Sequence, residues 1–199
     1  MEVIGHRGSG KGREENTLAG CRQAVQAGAR RVEVDVQRIG GVFLLAHPPR
    51  RNGETLAALL ENPPCPLVLH IKRRRFNPWH DRAVVDEIAR LTESADVMIE
   101  SFWPGTLAYA KRHHPQVQRA FATAWAWYDV RFSRRLGFAE LVCRDWIIGP
   151  RAVAVAEKRG VNITVYTPRN TERSKARLRR AGVAAVMTDA VVYWTERSR

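Results

Sequence analysis

The chain has 199 residues and a formal charge of +13, from 33 Lys plus Arg against 20 Asp plus Glu. Its 45% hydrophobic content excludes a disordered or low-complexity chain, and its length fits one domain over residues 1–199. No stretch reaches the roughly 20 apolar residues of a membrane span, and Met1–His6 lacks a signal-peptide layout.

Short apolar runs alternate with amphipathic stretches throughout. Strand-like runs fall near Val3–His6, Val32–Val36, Val42–His47, Leu67–Lys72, Val97–Phe102, Gln118–Ala124, Glu140–Cys143, Asn162–Thr167 and Ala184–Thr188. Thr17–Ala27 has helical spacing: Leu18, Cys21 and Val25 share a face, Asn16 is placed as N-cap and Gly28 as stop. Pro104–His114, Arg151–Arg159 and Thr171–Ala181 behave alike, with Gly160 and Gly182 closing the last two. The three cysteines, Cys21, Cys65 and Cys143, are an odd count at ordinary spacing. They read as reduced thiols in a cytoplasmic protein.

Strands alternating with helices imply a parallel sheet with right-handed crossovers. Nine runs are one too many for an eight-stranded barrel. The link Gln37–Gly41 is too short for a helix and suits a glycine-containing hairpin turn. The third run is therefore expected as a β-hairpin excursion after strand two. The expected fold class is α/β, a compact (β/α)8 TIM barrel, below the roughly 250 residues usual for that fold. An open doubly wound sheet is the alternative.

Barrel enzymes place their chemistry at the C-terminal ends of strands. Strand one ends in His6-Arg7 and the excursion in His47. Glu33 and Asp35 lie two apart, hence on one side of strand two, and His70 and Lys72 repeat that spacing. Strands five and nine end in Glu100-Ser101 and Thr188-Asp189. Two carboxylates at i and i+2 repel unless a cation intervenes, and oxygen ligands favour Mg2+, Ca2+ or Mn2+. Taken singly, Glu33 and Asp35 could pair with Arg or Lys, and each histidine could cap a strand.

Three other features have plainer readings. Gly5–Gly12 nearly matches a nucleotide phosphate loop, but Gly12 stands where its hydroxyl residue belongs and the helix begins too late. Arg173, Lys175, Arg177, Arg179 and Arg180 read as a solvated helix face, with Lys72–Arg75 a second basic cluster. A nucleic-acid surface lacks interleaved aromatics, so no nucleic-acid partner is expected. Trp103 and Trp125-Ala126-Trp127 could line an apolar substrate wall or serve as core, core being the more frequent use of buried tryptophan.

In order along the chain stand His6-Arg7-Gly8, Glu15-Asn16-Thr17, Glu33-x-Asp35, His47, Lys72, Ser101-Phe102 and Thr188-Asp189. This ordered set resembles the glycerophosphodiester phosphodiesterase family. The resemblance implies a phosphodiesterase barrel that hydrolyses a small-molecule glycerophosphodiester to glycerol phosphate and an alcohol. It makes His6 and His47 the general acid and base, in an order left open. Glu33 and Asp35 map onto metal carboxylates, Arg7 and Lys72 onto phosphate-binding cations, and Glu15 onto a glutamate near the mouth. The nucleophile is either water or a neighbouring glycerol hydroxyl.

Three departures stand out: His70 replaces the third metal carboxylate, Pro48 follows the second histidine where Asp is usual, and Tyr166-Thr167 replaces Trp-Thr. His70 can still ligate a divalent metal, tilting preference toward Mn2+ or Zn2+, but it leaves one negative charge fewer. The alternatives are a catalytically impaired barrel that only binds phosphoesters, and a lysophospholipase D-type activity with peripheral membrane contact. The oligomeric state is left open.

Overall fold

The computed structural model describes residues 1–47, 53–72, 78–92, 96–124 and 127–196, and the side chains of 78–80, 127 and 128 lie outside that description. Eight parallel strands close into a barrel: β1 (Glu2–Gly5), β2 (Arg31–Ile39), β4 (Leu67–Ile71), β5 (Val97–Ser101), β6 (Gln118–Thr123), β7 (Glu140–Arg144), β8 (Asn162–Tyr166) and β9 (Ala185–Thr188). Pairing of β1 with both β2 and β9 completes the ring. The remaining strand, β3 (Val42–Leu45), runs antiparallel to the last four residues of β2. Gly40 and Gly41, both at positive φ (60° and 89°), form the two-residue turn that this hairpin requires. All nine strands expected from the sequence are present, and the open-sheet alternative is excluded.

Helices fill the connections: α1 (Leu18–Gln26), α2 (Leu56–Glu61), α3 (Pro78–Leu91), α4 (Pro104–His113), α5 (Ser133–Leu136), α6 (Pro150–Glu157), α7 (Glu172–Ala181) and α8 (Val191–Thr195). Their ends follow local chemistry. Thr171 caps α7 by accepting from the Ser174 amide, and Gly182 ends it in the left-handed conformation. Pro104 and Pro150 occupy the first turns of α4 and α6, where an amide hydrogen would be unpaired anyway.

Alternation along the strands builds two apolar layers. Val32, Val34, Val36, Leu67, Leu69 and Ile71 face the helices within the larger core. Ile4, Val68, Met98, Ala120, Val142 and Met187 belong to a smaller cluster inside the barrel. Near the strand N-termini, Arg31 donates to Glu2 at 3.0 Å and to Glu140 at 2.9 Å, and Thr164 donates to the second oxygen of Glu140. That end of the barrel is therefore plugged and its charges are satisfied.

Three local expectations need correction. Asn16 is not the N-cap of α1; Thr17 is, accepting from the Gly20 amide at 2.9 Å. Asn16 is instead buried at φ 58°, where its side chain accepts from the Asp35 amide at 2.7 Å. It takes the place of a strand partner there, because β1 has already ended. Trp103 is 41% exposed rather than in the core, because it stands in the loop that leads into α4. The basic face of α7 is not wholly solvated: Lys175 is buried, and Arg177 donates to the carbonyls of Ile148 and Asp145. Pro48, Arg73–Arg75, Trp125 and Ala126 lie outside the described residues.

Candidate active site

The His-Arg-Gly turn leaves β1 at the barrel mouth and is stitched to both neighbouring strands. The His6 amide donates to the Thr188 carbonyl, and the Gly8 amide to the Glu33 carbonyl. Arg7 adopts φ 55°, a strained conformation for a non-glycine residue. This aims its amide at Glu33 Oε2, 2.9 Å away. Its guanidinium binds Glu15 and stands 3.2 Å from Asp35 Oδ2.

Strand parity places Glu33 and Asp35 inside the barrel, fully buried, as expected from their spacing. Lys72 Nζ lies 2.8 Å from Asp35 Oδ1 and 3.0 Å from His70 Nδ1. His70 Nδ1 is also 3.6 Å from both Glu33 Oε1 and Asp35 Oδ1. Its ring packs against Phe102, with centroids 5.3 Å apart. His6 Nδ1 is hydrogen-bonded to Asp189 at 2.6 Å, and its Nε2 lies 4.0 Å from Glu33.

The hairpin delivers His47. The Ala46 amide donates to the Asp35 carbonyl, and the Gln37 side chain donates to the Ala46 carbonyl. His47 is thereby brought back over β2, and ligand atoms of His47, Asp35 and Glu15 lie within 4.8 Å of one another. Glu33, Asp35 and His70 form a second such group. All eight residues singled out from the sequence, His6, Arg7, Glu15, Glu33, Asp35, His47, His70 and Lys72, thus meet at one end of the barrel.

Two further residues belong to this cluster. The sequence marks Glu100 and Asp189 as polar strand ends but assigns neither a role. Glu100 is buried, and its Oε1 lies 3.5 Å from His70 Nδ1. A mouth cavity of about 260 Å³ is lined by His6, Arg7, His70, Lys72, Glu100 and Asp189, among others. Arg144 also lines it and donates to the Tyr166 hydroxyl at 2.9 Å. An indole at that position could not accept this bond. A larger cavity, about 590 Å³, lies between α1 and α8 and shares only Asp189 with the cluster.

Electrostatically the cluster is rich in acid. Burial and the charge of Glu33 push Asp35 up to about 7, despite Lys72 and Arg7. The same two causes raise Glu100 well above the usual carboxylate range. Burial also opposes the charge of Glu33, but the close approach of His70 and the positive charges of His6 and Lys72 outweigh it and lower its pKa. Burial lowers His70 to about 4, so its imidazole is neutral near pH 7. Burial works against a charge on His6 as well, yet Asp189 and Glu33 raise it above the ordinary value. His47 is lowered by burial and then by Arg7 and Lys72.

These residues fit a divalent cation. Among the described residues, the buried carboxylate oxygens Glu33 Oε1 and Glu100 Oε2 have no hydrogen-bond partner. Buried polar atoms are ordinarily paired, and carboxylate oxygens with a neutral imidazole are the donors such an ion takes.

A closed (β/α)8 barrel with acids, imidazoles and cations at its C-terminal mouth is the architecture of a TIM-barrel enzyme. The model of the Glycerophosphoryl diester phosphodiesterase family matches residues 6–39 and 70–192. The chain belongs to that family. His47 and the second strand of the hairpin lie between the two matched stretches.

Solved structures show the same fold. An Oleispira antarctica phosphodiesterase, in complex with the product sn-glycerol-3-phosphate, is 21% identical with a TM-score of 0.82, over 98% of this chain and 95% of that one. A Parabacteroides distasonis glycerophosphodiester phosphodiesterase is 19% identical with a TM-score of 0.80, over 95% and 92%. One from Agrobacterium tumefaciens is 15% identical with a TM-score of 0.76, over 98% and 100%. No curated protein matches the sequence. Among the described residues no helix is long and apolar enough to cross a membrane.

Proposed function

We propose that this enzyme hydrolyses small glycerophosphodiesters to glycerol phosphate and an alcohol, with a divalent metal ion at Glu33, Asp35 and His70. One observation carries the reading: His6 stands beside Glu33 and His47 beside Asp35, so two imidazoles flank one pair of buried acids. Family membership supports the substrate class.

Arg7 and Lys72 bind the phosphate and oppose the charge that gathers on its oxygens in the transition state. Glu15 orients Arg7 through its guanidinium contact. One histidine takes the proton from the nucleophile, and the other gives one to the leaving alkoxide. Asp189 holds the His6 ring through Nδ1, which leaves Nε2 toward the acids. A divalent ion, when bound, supplies Lewis-acid neutralisation of the diester. The large cavity, which shares Asp189 with the lining of the mouth, is also lined by Ala24, Ala27, Val191 and Val192, which supports lysophospholipids as a second substrate class.

The test is turnover of a panel of glycerophosphodiesters and one lysophospholipid by metal-stripped protein, with Mg2+, Ca2+, Mn2+ or Zn2+ added back singly. Hydrolysis is expected only with metal present, and His47→Ala is expected to slow it roughly 10²–10⁴-fold. Full turnover in chelator overturns the metal assignment. Wild-type rates for His47→Ala on every diester overturn the role of that histidine.

A further inference from the structure

His70 occupies the position where the family resemblance leads one to expect a carboxylate, so the motif alone leaves the cation site one charge short. We infer that Glu100, on the adjacent strand, supplies the missing charge. The site then comprises three carboxylates, Glu33, Asp35 and Glu100, around the imidazole of His70. This inference rests on the metal reading above and adds a ligand that the family pattern does not supply.

Register is the first support. Asp35 pairs with His70, and His70 pairs with Glu100, so three adjacent strands present these residues at one level of the barrel. Each has the parity that faces the interior, as do Val68 and Met98 two residues before His70 and Glu100. A carboxylate moved one strand over at the same level still faces the same space.

The second support is what Glu100 lacks. It is 2% exposed and lines the mouth cavity. Among the described residues its Oε1 has the 3.5 Å approach to His70, and its Oε2 has no hydrogen-bond partner. No Lys or Arg pairs with it among the described residues. Glu140 is a useful contrast, because it is equally buried in the same barrel. There Arg31 Nη1 lies 2.9 Å from one oxygen, and Thr164 donates to the other. The fold thus satisfies a buried acid where the acid is structural. Leaving Glu100 unsatisfied at the mouth, one strand over from Asp35 and 3.5 Å from the His70 ring nitrogen, fits an acid whose partner comes from solution, although its oxygens lie outside the 4.8 Å group that Glu33, Asp35 and His70 form.

Mixed oxygen and nitrogen donors favour Mn2+ or Zn2+, whereas an all-carboxylate set favours Ca2+ or Mg2+. The experiment is calorimetric titration of metal-stripped protein with Mn2+ alone and with Ca2+ alone. Four forms are compared: wild type, Glu100→Gln, His70→Glu, and the exchange His70→Glu/Glu100→Gln. Thermal unfolding of each form confirms folding, and Gln keeps the shape of Glu. Glu100→Gln is expected to weaken Mn2+ at least tenfold. The exchange is expected to recover Mn2+ affinity to within about threefold of wild type, because it returns a carboxylate to β4, and to gain on Ca2+ relative to Mn2+. Pulsed electron paramagnetic resonance of bound Mn2+ should show an imidazole nitrogen coupling in wild type and Glu100→Gln that is lost in the exchange. Unchanged Mn2+ affinity in Glu100→Gln, or an exchange no tighter than that single variant, overturns the inference while the metal reading survives. If wild type binds neither ion, both fall.

Discussion

The side chain of Gln37 holds the backbone carbonyl of Ala46, the residue immediately before His47. Gln37 is buried, and with the bond from the Ala46 amide to Asp35 it clamps both sides of that residue to β2. The hairpin is thus a lever that carries an imidazole from outside the barrel back over its acids. Gln37→Met should leave a buried carbonyl unpaired, at about 1–3 kcal/mol of stability. It should also lower kcat roughly ten- to hundredfold with KM little changed, since His47 loses its alignment rather than its chemistry. Urea unfolding and steady-state kinetics check both. Equal losses in kcat and 1/KM would speak against a positioning role.

Asp189 and His6 make a second testable pair. Burial disfavours a charge on His6, while the Asp189 hydrogen bond and the charges of Glu33 and Asp189 together outweigh it. In Asp189→Asn the charge is lost, so the pKa of His6 falls from its raised position. Whichever limb of the pH–kcat/KM profile His6 governs should move to lower pH. Proton resonance titration of the His6 ring checks this directly, and an unmoved titration refutes it.

Gly20 bears on how the His-Arg-Gly turn docks on α1. Alanine in a helix ordinarily improves on glycine by about 1 kcal/mol. Here a Cβ would lie 2.1 Å from the Glu14 carbonyl oxygen and 3.3 Å from Thr17 Oγ1. Gly20→Ala should therefore reverse that sign and destabilise the fold by about 1–3 kcal/mol through overpacking. A lowered denaturation midpoint is the expected reading; an increase would show that the loop yields easily.

Lys175 fastens α8 to α7. Its ammonium donates to the carbonyls of Tyr193 at 3.0 Å and Glu196 at 2.7 Å, and sits 5.0 Å from the Tyr193 ring centroid. Lys175→Met should cost about 2 kcal/mol or more, because it strips charged donors from buried carbonyls. The exposed neighbour Arg180, changed to Gln, should stay within about 0.5 kcal/mol of wild type. Thermal unfolding of the two variants separates an anchor from a solvated face.

Much of the fold is legible in the residue order. The nine strands are readable because apolar runs are bounded by glycine, proline and polar residues, and the Gly40-Gly41 turn separates hairpin from crossover. The inward aim of Glu33 and Asp35 follows from a period of two, which belongs to the strand itself. Thr17 and Asn16 were less separable, since both suit a helix start and only the end of β1 creates a need for Asn16 beside Asp35. Lys175 and Trp103 fail for a related reason: composition names a residue type, while burial depends on what packs over it.

The amino-acid order by itself thus determined the barrel class and the hairpin, because these rest on local periodicity and spacing; seven of the eight mouth residues stood out as polar strand ends, and Glu15 was named only through the family resemblance. Only the tertiary structure decided that Glu100 faces His70, that Asp189 holds His6 and that Gln37 steadies His47. Those relationships depend on inter-strand register and on where the chain returns after a crossover. Both are set by closing the whole ring rather than by any one segment.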